Sequence, residues 1–382
     1  MRNTAASLLV LLVLASAILM GANFAFGGEA VEDSWVTVAP LPEPYFSAKG
    51  AVAVDGKIYF IADDLCMRYD PETNSWTEIT QPSVYSLWGA VAACQNKIYL
   101  IGGAAEHPTQ VYDPSTDTWE NRTSPPGTTL SHQAIAVDDK IYVISGAQLA
   151  HLGILATSAV NYVYDTVTDS WSTMAPIPTP VSSYASAVLD NKIYIIGGRT
   201  ATVKVKNATN LVQIFDPKTN RWTEGTPIPT GVSNAGAGST SGLFAPKRIY
   251  VVGGLQGYDG GATSYDATKT GIDVNQVYDP KTGSWSLAAS LPEIRWGFSL
   301  VNVNDALYAV GQKTERYIPI GYDESLLPTP SPSPTPSPSP SPEPKPEPFP
   351  TVPVAAASVT IIVVAAGLLV HFKKRKREAT VA

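Results

Sequence analysis

One block returns along this chain with a fixed internal distance, and it limits the possible folds more than any other feature. Tyr69-Asp70-Pro71 is followed by Thr73 and Trp76, and Tyr112-Asp113-Pro114 by Thr116 and Trp119. Phe215-Asp216-Pro217 leads to Thr219 and Trp222, and Tyr278-Asp279-Pro280 to Thr282 and Trp285. A further copy, Tyr164-Asp165 with Thr168 and Trp171, carries Thr166 in the proline place. The aromatic-to-tryptophan distance is seven residues in all five copies. Self-similarity at a period of a few tens of residues is the mark of a repeat array, in which each unit buries its faces only against its neighbours.

A second block precedes each of these. Apolar, β-prone runs such as Ala51-Val52-Ala53-Val54 and Ile58-Tyr59-Phe60-Ile61 are joined by Asp55-Gly56. Asp-Gly between two such runs is a strong hairpin signal. Related copies centre on Ile98-Tyr99, Ile141-Tyr142, Ile193-Tyr194, Ile249-Tyr250 and Leu307-Tyr308. The runs lack clean polar alternation, so both strand faces are expected to be buried between neighbours. Asp-Pro-x-Thr is turn chemistry, with Asp bonding the local backbone and Pro presetting φ. Each unit therefore reads as four short strands, a to d, with Trp on the outermost. These residues resemble kelch repeats over residues 34–322, and the resemblance implies an all-β, six-bladed β-propeller. Trp35 precedes the first a strand, and no Trp follows Glu315-Arg316-Tyr317. The N-terminal strand is thus expected to complete blade six and close the ring.

Strand order places the d–a and b–c connections on one face and the a–b and c–d turns on the other. The long b–c intervals are 147–163, 199–214 and 255–277, all on the first face. Insertions gathered on one face of an array mark its working face. Candidate binding residues there are Tyr45, Lys49, Tyr85, Trp88, His132, Tyr184, Arg199, Asn234, Tyr258, Arg295 and Trp296. Aromatic faces beside Arg and Asn donors suit a peptide or glycan partner, although any one of these residues can also serve as packing between blades.

Catalysis is the less favoured reading, and no catalytic residue or cofactor is assigned. Kelch-type copper radical oxidases need two His, two Tyr and a cross-linking Cys at the centre, but here only His132 sits on an inner-strand start. A sialate-mutarotase-like enzyme is the alternative, but Arg68, Arg199 and Arg295 form no diagnostic motif. A structural envelope or adhesion role is the second alternative. The Asp259, Asp266 and Asp273 spacing fits no EF-hand loop, so no metal site is assigned. Cys66 and Cys94 fall near opposite faces of neighbouring units, too far apart for a disulfide, and none is expected.

The two ends read as addresses. Arg2, an apolar run over Leu8–Met20 and Ala25-Phe26-Gly27 form a secretory signal over 1–27, followed by a lead-in at 28–33. Thirteen of the 32 prolines lie in 328–353, within a Pro/Ser/Thr-rich stalk read at 323–353. Its 328–350 stretch, as polyproline II, reaches roughly 70 Å. Residues 354–372 hold no Asp, Glu, Lys or Arg and match a membrane span. The run Lys373 to Arg377 within the 373–382 tail then sets the cytoplasmic side. This layout resembles stalk-anchored surface proteins of archaea and implies a single-pass, cell-surface protein. Asn121 and Asn207 are then candidate glycan acceptors. Residues 28–327 carry 19 Lys and Arg against 30 Asp and Glu, a net of −11, which disfavours nucleic acid as a partner.

Overall fold

The computed structural model describes residues 31–42, 48–62, 64–84, 86, 89–103, 107–127, 130, 132–149, 155–200, 208–257, 270–311 and 313–327. The expected signal, nearly all of the stalk, the expected span and the basic tail lie outside these residues. Among the described residues, no helix is long and apolar enough to cross a membrane.

The strands form six four-stranded antiparallel sheets and one extra hairpin. Blade 1 contains Ala48–Val54, Lys57–Ala62, Cys66–Asp70 and Ser75–Glu78, which are its strands a to d. Blade 2 contains Ala90–Cys94, Lys97–Ile101, Thr109–Asp113 and Thr118–Arg122. Blade 3 contains Gln133–Val137, Lys140–Ile144, Asn161–Asp165 and Ser170–Thr173, and its b–c connection adds the hairpin Ala147–Leu149/Leu155–Thr157. Blade 4 contains Ala185–Leu189, Lys192–Ile196, Val212–Asp216 and Arg221–Glu224. Blade 5 contains Gly236–Ser239, Ile249–Val252, Asn275–Asp279 and Ser284–Ala288. Blade 6 takes Ser299–Val303, Ala306–Val310 and Thr314–Ile318 from the far end of the propeller, and its outer strand is Ser34–Thr37 from the near end. Trp35 pairs with Tyr317, so the N-terminal strand closes the ring as expected.

Six buried apolar clusters lie between successive blades, and the sixth joins blade 6 to blade 1. The Tyr of each b strand supplies the aromatic link. Tyr59 meets Tyr112 of the next blade at 6.1 Å, Tyr142 meets Phe215 at 6.0 Å, and Tyr308 meets Tyr69 at 5.9 Å across the closure. Within each blade the c-strand aromatic packs on the d-strand Trp, as in Tyr69–Trp76 at 5.0 Å and Trp35–Tyr317 at 4.9 Å.

The fixed seven-residue spacing has a second cause. Trp76 Nε1 donates to the carbonyl of Ala39, which lies just past the outer strand of blade 6. Trp119, Trp171, Trp222, Trp285 and Trp35 likewise donate to Thr80, Thr123, Ala175, Thr226 and Ala289, each just past the preceding blade's outer strand. Two residues before each Trp stands Asn74, Asp117, Asp169, Asn220, Gly283 or Asp33, all at φ between 48° and 66°. Asn, Asp and Gly tolerate that left-handed conformation best. Where a side chain is present, it accepts the amide of the same neighbouring residue, as Asp117 does from Thr80 at 2.9 Å. Asp117 also accepts the Tyr112 hydroxyl at 2.7 Å. A Trp thus stitches each blade to the one before it, and in blades 1, 2, 3 and 6 a Tyr hydroxyl bound to Asp or Asn completes the stitch.

On the same side, Asp70, Asp113, Asp165 and Asp279 pair with Lys57, Lys97, Lys140 and Arg248 at the start of the b strands. The turn face is therefore charged. Both ends of the propeller lie there, since Ser34 pairs with Ile318 at the foot of the closing ladder. The contacts continue past Tyr322, the expected edge of the propeller, to Leu327, because Asp323 N–H donates to Phe244 O at 2.7 Å.

Candidate functional site

The inner strands a of all six blades line a central channel with a cavity of about 500 Å³. Its wall is largely Ala, Gly, Ser and Val, because six strands converging on an axis leave little room for side chains. Gly236 shows this: a Cβ there would lie 2.6 Å from the Phe298 ring. The ionisable residues of the described lining are Lys49, His132 and Tyr184, with no carboxylate and no arginine. Among the described residues no group of three or more His, Cys, Asp or Glu side chains is placed to hold a metal ion.

The mouth on the loop face is built by backbone. Ser183, Asn234 and Gly297 stand just outside strand a of blades 4, 5 and 6, at φ 53°, 53° and 65°. Asn234 N–H donates to Ser183 O and Gly297 N–H donates to Asn234 O, both at 2.8 Å. The three blades are linked into a rigid rim. The b–c loops lean onto the d–a loops through bridges at Leu130–Ala147, Ser182–Arg199 and Ser233–Leu255.

The candidate residues separate on this rim. Lys49, Asn234, Arg199 and Trp296 reach the surface to differing degrees, with Trp296 38% exposed beside Ile294 at 47%. Arg199 donates to Ser233 Oγ at 3.1 Å and to Gly257 O at 3.3 Å, which ties two loops together. Three candidates pack inside instead. His132 is buried. Tyr184 is buried with its hydroxyl on Ile144 O, and burial pushes its pKa up. Arg295 is buried against Glu315 at 2.8 Å and lies 5.7 Å from the Phe298 ring. Burial raises the Glu315 pKa more than the Arg295 charge lowers it. His132 and Tyr184 are part of the channel wall, and Arg295 braces blade 6 through Glu315 and Lys313 O. Tyr45, Tyr85, Trp88, Tyr258 and the sequon residue Asn207 lie outside the described residues, and Asn121 is exposed on the outer strand of blade 2. Sequence reasoning missed the exposed Gln133 and Ile294 of the rim. The left-handed Ser183–Asn234–Gly297 series was also missed, although its residue types hinted at it.

Cys66 and Cys94 are both buried thiols in different apolar clusters. Cys66 Sγ donates to Ala62 O and Cys94 Sγ to Asp138 O.

This arrangement defines a closed propeller with a narrow, small-residue channel and a loop-built rim. A family model described as the KLHDC2/KLHL20/DRC7 Kelch-repeats domain matches residues 88–311, more than half of the 382-residue chain. The chain belongs to the kelch-repeat family. It is similar to Kelch-like protein 25 of Xenopus tropicalis, 31% identical over 160 residues, covering 40% of this chain and 24% of that protein. Kelch-like protein 26 of Danio rerio is 26% identical over 249 residues, covering 65% of this chain and 37% of that protein. Kelch-like protein terF of Aspergillus terreus is 32% identical over 162 residues, covering 40% and 32%. The matched part thus spans between a quarter and two fifths of these relatives' length. The solved structure of YjhT superposes with a TM-score of 0.56 at 17% identity, covering 72% of this chain and 95% of that one. That likeness shows the fold alone.

Proposed function

We propose that this kelch propeller is a cell-surface binding module that docks a protein partner on its loop face. The observation that carries the reading is the division of labour between the faces. Both ends of the propeller lie on the turn face, and the long connections and the exposed Trp296 and Ile294 lie on the opposite, loop face. Kelch propellers commonly mediate protein–protein binding, which agrees with this use of the rim. Exposed aromatic residues beside a preorganised backbone are what a binding hot spot needs. The described channel wall, without a carboxylate or arginine, supports binding over carbohydrate chemistry. The signal, stalk and span read from the sequence supply the tether in this proposal.

The test is to probe peptide and glycan arrays with the full chain and with Trp296→Ala and Lys281→Ala. Peptide binding weakened about tenfold or more by Trp296→Ala, at unchanged melting temperature, is the expected result. Lys281, in the c–d turn of blade 5, should be neutral. Binding that follows Lys281 would reverse the face assignment, and glycan binding without peptide binding would replace the partner class.

A further inference from the structure

Blade 5 departs from the others on the turn face. Five blades join strands a and b through two residues, but blade 5 spends nine, 240–248. This loop is internally ordered. Thr240 Oγ1 donates to Pro246 O at 2.6 Å and accepts Arg248 N–H at 2.9 Å. Its main anchor comes from blade 6. The Asp305 carboxylate, in that blade's a–b turn and 1% exposed, accepts four loop amides. These are Ser241 at 2.5 Å, Leu243 at 3.1 Å, Phe244 at 2.9 Å and Ala245 at 3.1 Å. The Ser241 hydroxyl adds a fifth donor at 2.9 Å. Successive amides converging on one carboxylate form an anion nest, here filled by the protein's own side chain.

The organised loop in turn grips the chain where it leaves the propeller. Phe244 O accepts Asp323 N–H at 2.7 Å, and Tyr322 is buried in the same cluster as Ala245 and Ile318. A Cβ on Gly321 would lie 3.0 Å from the Pro246 ring, so the exit passes directly over the loop. Gly321 N–H also donates to Glu32 Oε2 at 3.0 Å, at the start of the closing strand.

We propose that loop 240–248, locked by Asp305, is a clasp that makes the C-terminal exit an attachment point able to withstand tension. Without it, tension entering at Leu327 would act on the turn-face end of Thr314–Ile318. That strand carries the closing strand, and its ladder would open one hydrogen-bonded pair at a time. With the clasp, the pull falls together on Asp323, Tyr322, Gly321 and the Asp305 nest, and so on blades 5 and 6 as one body. The proposal deepens the tethered-module reading but is tested without partner or membrane, so either can fail alone.

The test is hydrogen exchange and optical-trap unfolding of the full chain, pulled from its two termini. The variants are Asp305→Ala, Tyr322→Ala, and a version with 241–247 replaced by Asn-Gly; Asp55→Ala, in a two-residue turn, is the control. The clasp predicts that amides of 319–327 exchange about tenfold or more faster in the three variants while those of 57–62 stay unchanged. It also predicts that the ring opens at lower force in the three variants. Should Asp305→Ala fail to fold, the other two decide. Unchanged exchange at 319–327 would overturn the clasp, and faster exchange with unchanged opening force would overturn its role in resisting tension.

Discussion

Asp117 shows how much one side chain can coordinate. It takes a left-handed backbone, accepts Thr80 from the preceding blade, and accepts Tyr112 within its own. These bonds, led by the Thr80 amide, hold its pKa below the ordinary aspartate range. For Asp169, burial alone would raise the pKa, but the Tyr164 hydroxyl and the Thr123 amide outweigh it and the net shift is downward. A depressed folded-state pKa gives stability that is full above the unfolded value, near 4, and is lost as pH falls through the folded one. The urea midpoint should therefore stay level from about pH 7 to pH 5 and drop below about pH 4. Blades 1 and 4 already use Asn74 and Asn220 at this position. Asp117→Asn with Asp169→Asn should flatten the acid limb, which a pH series of urea melts checks. The Arg295–Glu315 pair makes the opposite kind of test. Arg295→Ala strands a buried carboxylate and should cost about 3–5 kcal/mol. Arg295→Met with Glu315→Gln should recover most of that loss in thermal or urea unfolding.

At the level of elements, a strand was legible in the sequence wherever its signal was local. Asp55-Gly56, the Ile-Tyr runs and the Tyr–Trp spacing mark hairpins, and the unmatched Trp35 marks the closure. The candidate site was less legible, because burial there depends on which neighbouring blade a side chain meets. Arg295 and Tyr184 look like presented donors from the chain alone, yet packing turns both inward. The 240–248 loop went unseen because its organiser, Asp305, lies in the next blade and looks like an ordinary turn residue. The strand assignments also bear on the two thiols. Cys94 lies at the end of an inner strand, and burial pushes its thiol pKa up. Neither thiol should react with a thiol-specific reagent in the native protein. Both should react after unfolding without reductant, and finding none would mean a disulfide.

On the scale of the whole propeller, the two faces differ: the turn face is charged and holds both ends, and the loop face presents Trp296 and Ile294. The six stitches add a property that none of the blades has alone. All point the same way around the ring, each Trp bonding the blade before it, and the one at the closure, Trp35 to Ala289, is like the others. As far as the Trp stitches go, the ring has no first blade. Glu32 and Gly321 already touch, so a flexible linker long enough to return from 327 can join it to 31. New ends can then open within the d–a loop at Gly127. Such a circular permutant should fold, keep its channel, and melt within a few degrees of the parent. The six stitches alone would let the covalent seam move from blade to blade; what marks the present seam is the 240–248 loop under the exit.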